Sequence, residues 1–336
     1  MGPHPRHVNG AVAISLMPLE TRREAILRAA TGADRLGYAG FFLPETWAHD
    51  TTVLLAEAAV RTERIGLGTG VLGVWGRSAA QLAMAAGSLH DVSGGRFTLG
   101  LGASTAQLAE GFHDVRFTAP TDKMRRVLTQ VRTLLAGERI PLAVATGARP
   151  LKLNLPPAAV PLYLAGLAPE SVRLAGELAD GWMPFLFPRS RMAEGVALLR
   201  EGAVRAGAAR PLPLICPSMP TVVARDRAEA RRGAAWFVSF YLTTMGPFYP
   251  RTISRLGFER EVKAVLAANT TRGSAVVPPD AEALLDELLV WGTPDEARGQ
   301  LERWREAGAA LPILLLPPNL TPAQIDLALE TFPPGR

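Results

Sequence analysis

A chain of 336 residues with 48% hydrophobic and 20% charged side chains is too apolar to be disordered and has material for a large core. It contains no uncharged apolar run of the roughly 18 residues that a membrane span needs, and its one cysteine, Cys216, excludes a disulfide framework or a cysteine-rich metal site. Basic residues exceed acidic ones by 36 − 31 = 5, but they lie scattered beside acids, as in Leu301-Glu-Arg-Trp-Arg-Glu306, so no nucleic-acid partner is expected and the field at most favours an anionic ligand.

Strand and helix patterns alternate along the chain. Ala11–Leu16 reads as a strand and Thr21–Leu36 as a helix stopped by Gly37. Gly40–Pro44, Arg64–Val71 and Arg96–Gly102 read as the next strands, followed by helices over Thr51–Arg61, Ser78–Val92 and Thr121–Leu135. After an irregular, proline-rich stretch come strand Val160–Ala165, helix Pro169–Leu178, strand Gly181–Phe185 and helix Ser190–Gly207. Leu212–Ala224 holds a seventh strand, Asp226–Tyr241 a helix, and Leu311–Leu316 an eighth strand before a last helix at Thr321–Thr331. Extra helices are expected at Ala281–Leu289 and Pro294–Ala307. Eight cycles of apolar strands and helices predict an α/β fold, a TIM-like (β/α)8 barrel. One barrel domain is expected over 1–336, with insertions near 136–160 and 242–311. The first ten residues lack an apolar signal core, so a cytoplasmic location is expected.

Functional groups of such a barrel lie in the loops after its strands. Gly68-Thr-Gly70-Val-Leu-Gly73 matches a dinucleotide fingerprint, but Val74–Arg77 separates it from the next helix and Asp91 falls at that helix's far end. The alternative is a glycine turn that lets backbone approach a ligand. Gly100-Leu-Gly102-Ala-Ser104-Thr105 and Gly166-Leu167-Ala-Pro169 end strands in small or hydroxyl residues. They are either ordinary turns or seats for an anionic cofactor tail. Glu45 and Glu110 are general acid–base candidates, or equally a helix-start acid and a surface charge. His49 and His113 fall in the same loops, His4 and His7 lie in an irregular terminus, and His90 reads as a structural helix residue. No metal-binding histidine pattern, nucleophile elbow or phosphate-binding lysine motif occurs, so no metal is expected, and Cys216 reads as inert core. Trp47, Trp75 and Trp182 near strand ends suit a flat ring, and core packing explains any one of them as well.

Two segments, Arg64–Val71 and Ser88-Leu-His-Asp-Val-Ser-Gly-Gly-Arg-Phe-Thr-Leu-Gly-Leu-Gly-Ala103, resemble the bacterial luciferase-like monooxygenase superfamily. So do Val160–Gly166, Leu174–Trp182, Gly292–Ala297 and Trp304–Gly308, in order over roughly residues 10–332. Gly73-Val-Trp-Gly-Arg77 and Glu110-Gly-Phe-His113 are most similar to the branch that uses the deazaflavin coenzyme F-420, typified by methylenetetrahydromethanopterin reductase. The resemblance implies a homodimeric oxidoreductase that passes a hydride between F-420 and an activated C=C or C=N bond of a small substrate, in either direction. It implies a non-prolyl cis peptide at Gly70–Val71 behind the central ring, with the tail near Ser104-Thr105, Gly166-Leu167 and Gly181-Trp182. Glu110, His113 or Glu45 would handle the proton, and Trp47, His49 and Trp75 would face the substrate. This chain has Pro44-Glu45 where many relatives have Asp-His. The alternatives are an FMN-dependent monooxygenase served by a reductase, a non-catalytic ligand-binding barrel and an NAD-dependent open sheet. Substrate choice is expected to reside in loops 106–120 and 242–280.

Overall fold

The computed structural model describes residues 10–207, 210–271 and 273–334. His4, His7 and the leader reading fall outside them. The strands are β1 Ala13–Leu16, β2 Gly40–Leu43, β3 Gly66–Thr69, β4 Leu72–Gly73, β5 Phe97–Gly102 and β6 Leu162–Ala165. They continue as β7 Gly181–Trp182, β8 Leu214–Ile215, β9 Ser218–Val223, β10 Val290–Gly292 and β11 Ile313–Leu316. Every pairing between them is parallel, in the order β11-β1-β2-β3-β5-β6-β7-β8.

The seventh strand closes the ring. It is two strands rather than the single expected run, broken at Cys216-Pro217 because proline cannot donate to a ladder. On one side its amides bond β7 and the segment after it, Cys216 N to Trp182 O and Ser218 N to Pro184 O, both at 2.8 Å. On the other its carbonyls receive the approach to β11 and its first residue: Leu311 N to Ile215 O at 3.0 Å and Ile313 N to Pro217 O at 2.8 Å. With β3 and β4 counted as one interrupted strand, this is the expected (β/α)8 barrel.

Alternation along the strands builds two layers of core. Ile14, Leu16, Phe41, Leu43, Leu314 and Leu316 pack with the surrounding helices. Ala13, Phe42, Tyr163, Met183, Cys216 and Ile313 form a separate cluster that fills the ring. Glycines make that filling possible: a Cβ on Gly68 would lie 2.4 Å from the Phe42 ring. One buried phenyl group thus occupies the space of several small residues, and its burial contributes about 2–3 kcal/mol.

The third strand departs from the expected Arg64–Val71. β3 stops at Thr69, the Gly70–Val71 peptide is cis as the resemblance implied, and β4 resumes pairing with β5 at Leu72↔Leu101. The stretch 137–161 carries no helix or strand. A short helix, Ala106–Gly111, lies where a loop was expected, and β10 adds an unforeseen strand beside Thr221–Val223. The segment 242–311 holds helices Phe248–Ile253, Glu259–Ala268, Ala283–Leu288 and Pro294–Glu306. The core cluster around its helices includes Met17 after β1, Leu186 after β7 and Leu315 within β11. The segment therefore packs over that arc of the barrel mouth and leaves the arc over β2–β6 more open.

Candidate active site

The loops after β2, β4 and β5 meet at this open arc. Arg77 clamps two of them. Its guanidinium forms a two-pronged ion pair with Glu45, with Nη2 at 3.0 Å from Oε2, and reaches Asp50 Oδ1 at 2.9 Å. Asp50 in turn caps the helix Thr51–Arg61 by accepting from Thr52 N at 2.9 Å. Burial works against the charge on both, yet Glu45 and Asp50 raise the Arg77 pKa. Hydrogen bonds from Thr52 and the Arg77 charge lower that of Asp50. Thr51 N also donates to Glu45 Oε2 at 3.0 Å, and Glu45 N donates to Val71 O at 3.2 Å. The carboxylate thus ties the loop after β2 to the cis segment and to Arg77.

A small open cleft adjoins this clamp, with Glu45, Thr46, Gly73, Ser104 and His113 in its wall. The His113 ring rests over Gly76, where a Cβ would come 2.5 Å from its Cε1. Ser104 is exposed with a φ of 58°, and Thr105 caps the helix Ala106–Gly111 through Leu108 N. Glu110 is exposed on that helix, outside the cleft wall, and accepts from Phe117 N at 3.0 Å.

The tryptophans occupy three different settings. Trp75 is buried in the cleft wall, donates to Ala103 O at 2.7 Å and packs on Phe117 at 5.2 Å, with Lys123 Nζ 5.5 Å from its ring. Trp47 is 45% exposed at the tip of the loop after β2. Trp182 is fully enclosed and donates to Gly166 O at 2.9 Å, so it supports the loop Gly166-Leu167 from behind rather than from its open side. Gly181 is also buried, since a Cβ there would meet the Tyr163 ring at 2.5 Å. His49 is exposed, its Nε2 2.9 Å from Thr21 O.

Reading by sequence pointed to Glu45, Ser104 and His113, which the fold brings to one cleft. It offered Asp50 only as a helix cap and did not place Arg77, Asp50 or Thr46 in the site. Nor did it find the aromatic cluster that joins the segment after β7 to residues 241–249. There Phe185 lies 4.8 Å from Tyr241 and 5.7 Å from Tyr249, and the two tyrosine rings are 5.3 Å apart. The only local signal was aromatic density in the segment 236–249.

The profile of the luciferase-like monooxygenase family matches residues 9–311. The chain belongs to the luciferase-like monooxygenase family. A similar protein is the putative coenzyme F-420-dependent oxidoreductase of Mycobacterium tuberculosis, 31% identical over 307 residues, which are 84% of this chain and 88% of that protein. Two solved structures share this fold. The coenzyme F-420-dependent tetrahydromethanopterin reductase of Methanopyrus kandleri superposes with a TM-score of 0.74 at 18% identity, covering 96% of this chain and 97% of its own. The oxygenating constituent of 3,6-diketocamphane monooxygenase from Pseudomonas putida, solved with FMN, gives 0.73 at 18% identity, with 96% of each chain covered. Among the described residues of this luciferase-like protein, no helix is long and apolar enough to cross a membrane.

Proposed function

We propose that this protein is an oxidoreductase that transfers a hydride between coenzyme F-420 and a small organic substrate at the open arc of the barrel mouth. The observation that carries the reading is the 31% identity to a protein bearing that cofactor in its name. Three features of the fold suit a deazaflavin. Gly73 lines the cleft without a side chain, close to the half-buried Gly70–Val71 segment. Thr46 carries a buried hydroxyl oxygen with no partner beside the cleft. The loop Gly166-Leu167 leads into the helix Pro169–Leu178, whose amide end can receive an anionic tail.

Bound deazaflavin supplies hydride chemistry and reacts poorly with oxygen. His113, in the cleft wall, supplies or takes the accompanying proton. Glu45, engaged by Arg77 and by Thr51 N, anchors the loop after β2. Glu110 orders the turn to Phe117. Trp47 and His49 face the substrate from the rim, and Trp75 and Trp182 hold the loops that Ser104, Thr105, Gly166 and Leu167 present to the cofactor. By its resemblance to the family we read the chain as one barrel unit with two insertions, working as a cytoplasmic homodimer. The family's description as a monooxygenase, and the FMN held by the Pseudomonas putida neighbour, favour a second reading, oxygenation with FMN.

Titration of the purified protein with F-420 and with FMN, followed by fluorescence, separates the two. Micromolar binding of F-420 with much weaker FMN binding is expected, and micromolar binding of FMN alone overturns the cofactor assignment. In steady-state assays His113→Asn is expected to lower kcat by about a hundredfold, the usual scale of lost acid–base assistance, with a far smaller effect from Glu110→Gln. The reverse order would move the proton to Glu110.

A further inference from the structure

Three side-chain polar atoms among the described residues are buried without a hydrogen-bond partner: Thr46 Oγ1, His90 Nδ1 and Arg210 Nε. His90 precedes β5 and Arg210 precedes β8, so both lie toward the N-terminal face, away from the chemistry of a barrel. Thr46 lies at the C-terminal mouth. It borders the cleft of Glu45 and His113, and also a second small cleft at the ends of β1 and β2, beside Leu16, Met17, Leu43 and His49.

A hydroxyl withheld from water and from partners costs about 1–3 kcal/mol, and such groups in folded proteins have a reason. Three buried threonines show the contrast: Thr51 Oγ1 donates to Pro44 O at 3.1 Å, Thr62 Oγ1 to Ala58 O at 2.7 Å and Thr69 Oγ1 to Gly100 O at 2.8 Å. The backbone that carries Thr46 is also fixed. Glu45 is held by Arg77, and Thr51 closes the loop onto Pro44. The hydroxyl is therefore a donor on a fixed loop, beside the cleft, with no acceptor among the described residues.

We infer that Thr46 is a ligand-binding residue whose hydroxyl donates to a carbonyl oxygen on the pyrimidine edge that deazaflavins and flavins share. The inference rests on the proposed function only in placing such a ring at this mouth. It is independent of the choice between F-420 and FMN, because both carry the same edge.

The experiment compares wild type, Thr46→Val and Thr46→Ser by fluorescence titration with F-420 and with FMN, and by urea unfolding without ligand. Valine keeps the shape and removes only the hydroxyl. The expected result is about tenfold weaker binding of the better ligand by Thr46→Val, recovery in Thr46→Ser, and an unfolding midpoint no lower than wild type. A Thr46→Val protein that binds like wild type overturns the inference and leaves the proposed function standing. So does one whose midpoint falls, because the hydroxyl is then satisfied within the folded protein. Failure of the wild type to bind either ligand overturns both.

Discussion

Arg77→Met is expected to lower stability by about 2–3 kcal/mol in urea unfolding at neutral pH and to weaken F-420 binding at least tenfold. Removing one member of a well-buried ion pair leaves the other charge uncompensated, at about 3–5 kcal/mol when burial is complete. Here the Arg77 and Glu45 side chains keep 18% and 14% of their exposure, which reduces the figure without reaching the surface-pair range. The binding loss follows because the same guanidinium positions the loops after β2 and β4 around the cleft. Pairing the change with Glu45→Gln checks the cause. The double variant should lose less than the sum of the single ones, since no stranded carboxylate remains at residue 45. Acid titration gives a second check. Asp50 has its pKa held below the ordinary value of 3.8 by Thr52 and Arg77 against the effect of burial, so its stabilising contribution is complete above that value and is lost as pH falls through the folded one. The gap between wild type and Arg77→Met should therefore narrow below about pH 3.8. A neutral-pH loss under about 1 kcal/mol with unchanged binding would mean that the clamp acts as a surface ion pair.

This clamp marks the limit of what the sequence discloses. The barrel was legible because each βα cycle is a local event, with apolar strands, capped helices and glycine stops recurring in order. The break at Pro217 carried its own signal, a proline inside a strand that must pair on both sides. β10 carried none: Val290–Gly292 between two helices becomes a strand only because Thr221–Val223 lies beside it. Within the site, Glu45 and His113 could be read as loop residues of a barrel, but the Arg77–Glu45 contact joins positions 32 residues apart and has no period. The tryptophans show the same limit. Trp47 and Trp182 both follow the pattern of aromatics at strand ends, yet one is 45% exposed and the other fully enclosed. Which side of a loop a ring takes depends on neighbours from distant segments, such as Gly195, where a Cβ would lie 2.3 Å from the Trp182 ring.

Gly100→Ala is expected to cost more than about 3 kcal/mol, beyond the ordinary range for a single added methyl group. The ladder between β3 and β5 runs only through Leu67↔Phe97 and Gly68↔Thr98. At the next position the Thr69 side chain replaces it, donating to Gly100 O and accepting from Gly100 N, both at 2.8 Å. That arrangement brings the two strands so close that a Cβ on Gly100 would lie 2.1 Å from Thr69 O. The obstacle is backbone, so no rotamer change relieves it, and the Met183 sulfur, 3.2 Å from the same point, blocks the retreat of the added methyl group. The strands must part, the two hydrogen bonds of Thr69 lengthen, and the Gly70–Val71 segment that follows moves with them. F-420 affinity should fall together with the unfolding midpoint. Gly299→Ala is the matched control. Gly299 is exposed in the helix Pro294–Glu306 and nothing lies within 4 Å of its added Cβ, so alanine there should raise stability by about 0.5–1 kcal/mol and leave binding unchanged. Equal effects of the two substitutions in urea unfolding would refute the close approach of β3 and β5 as the structural support of the site.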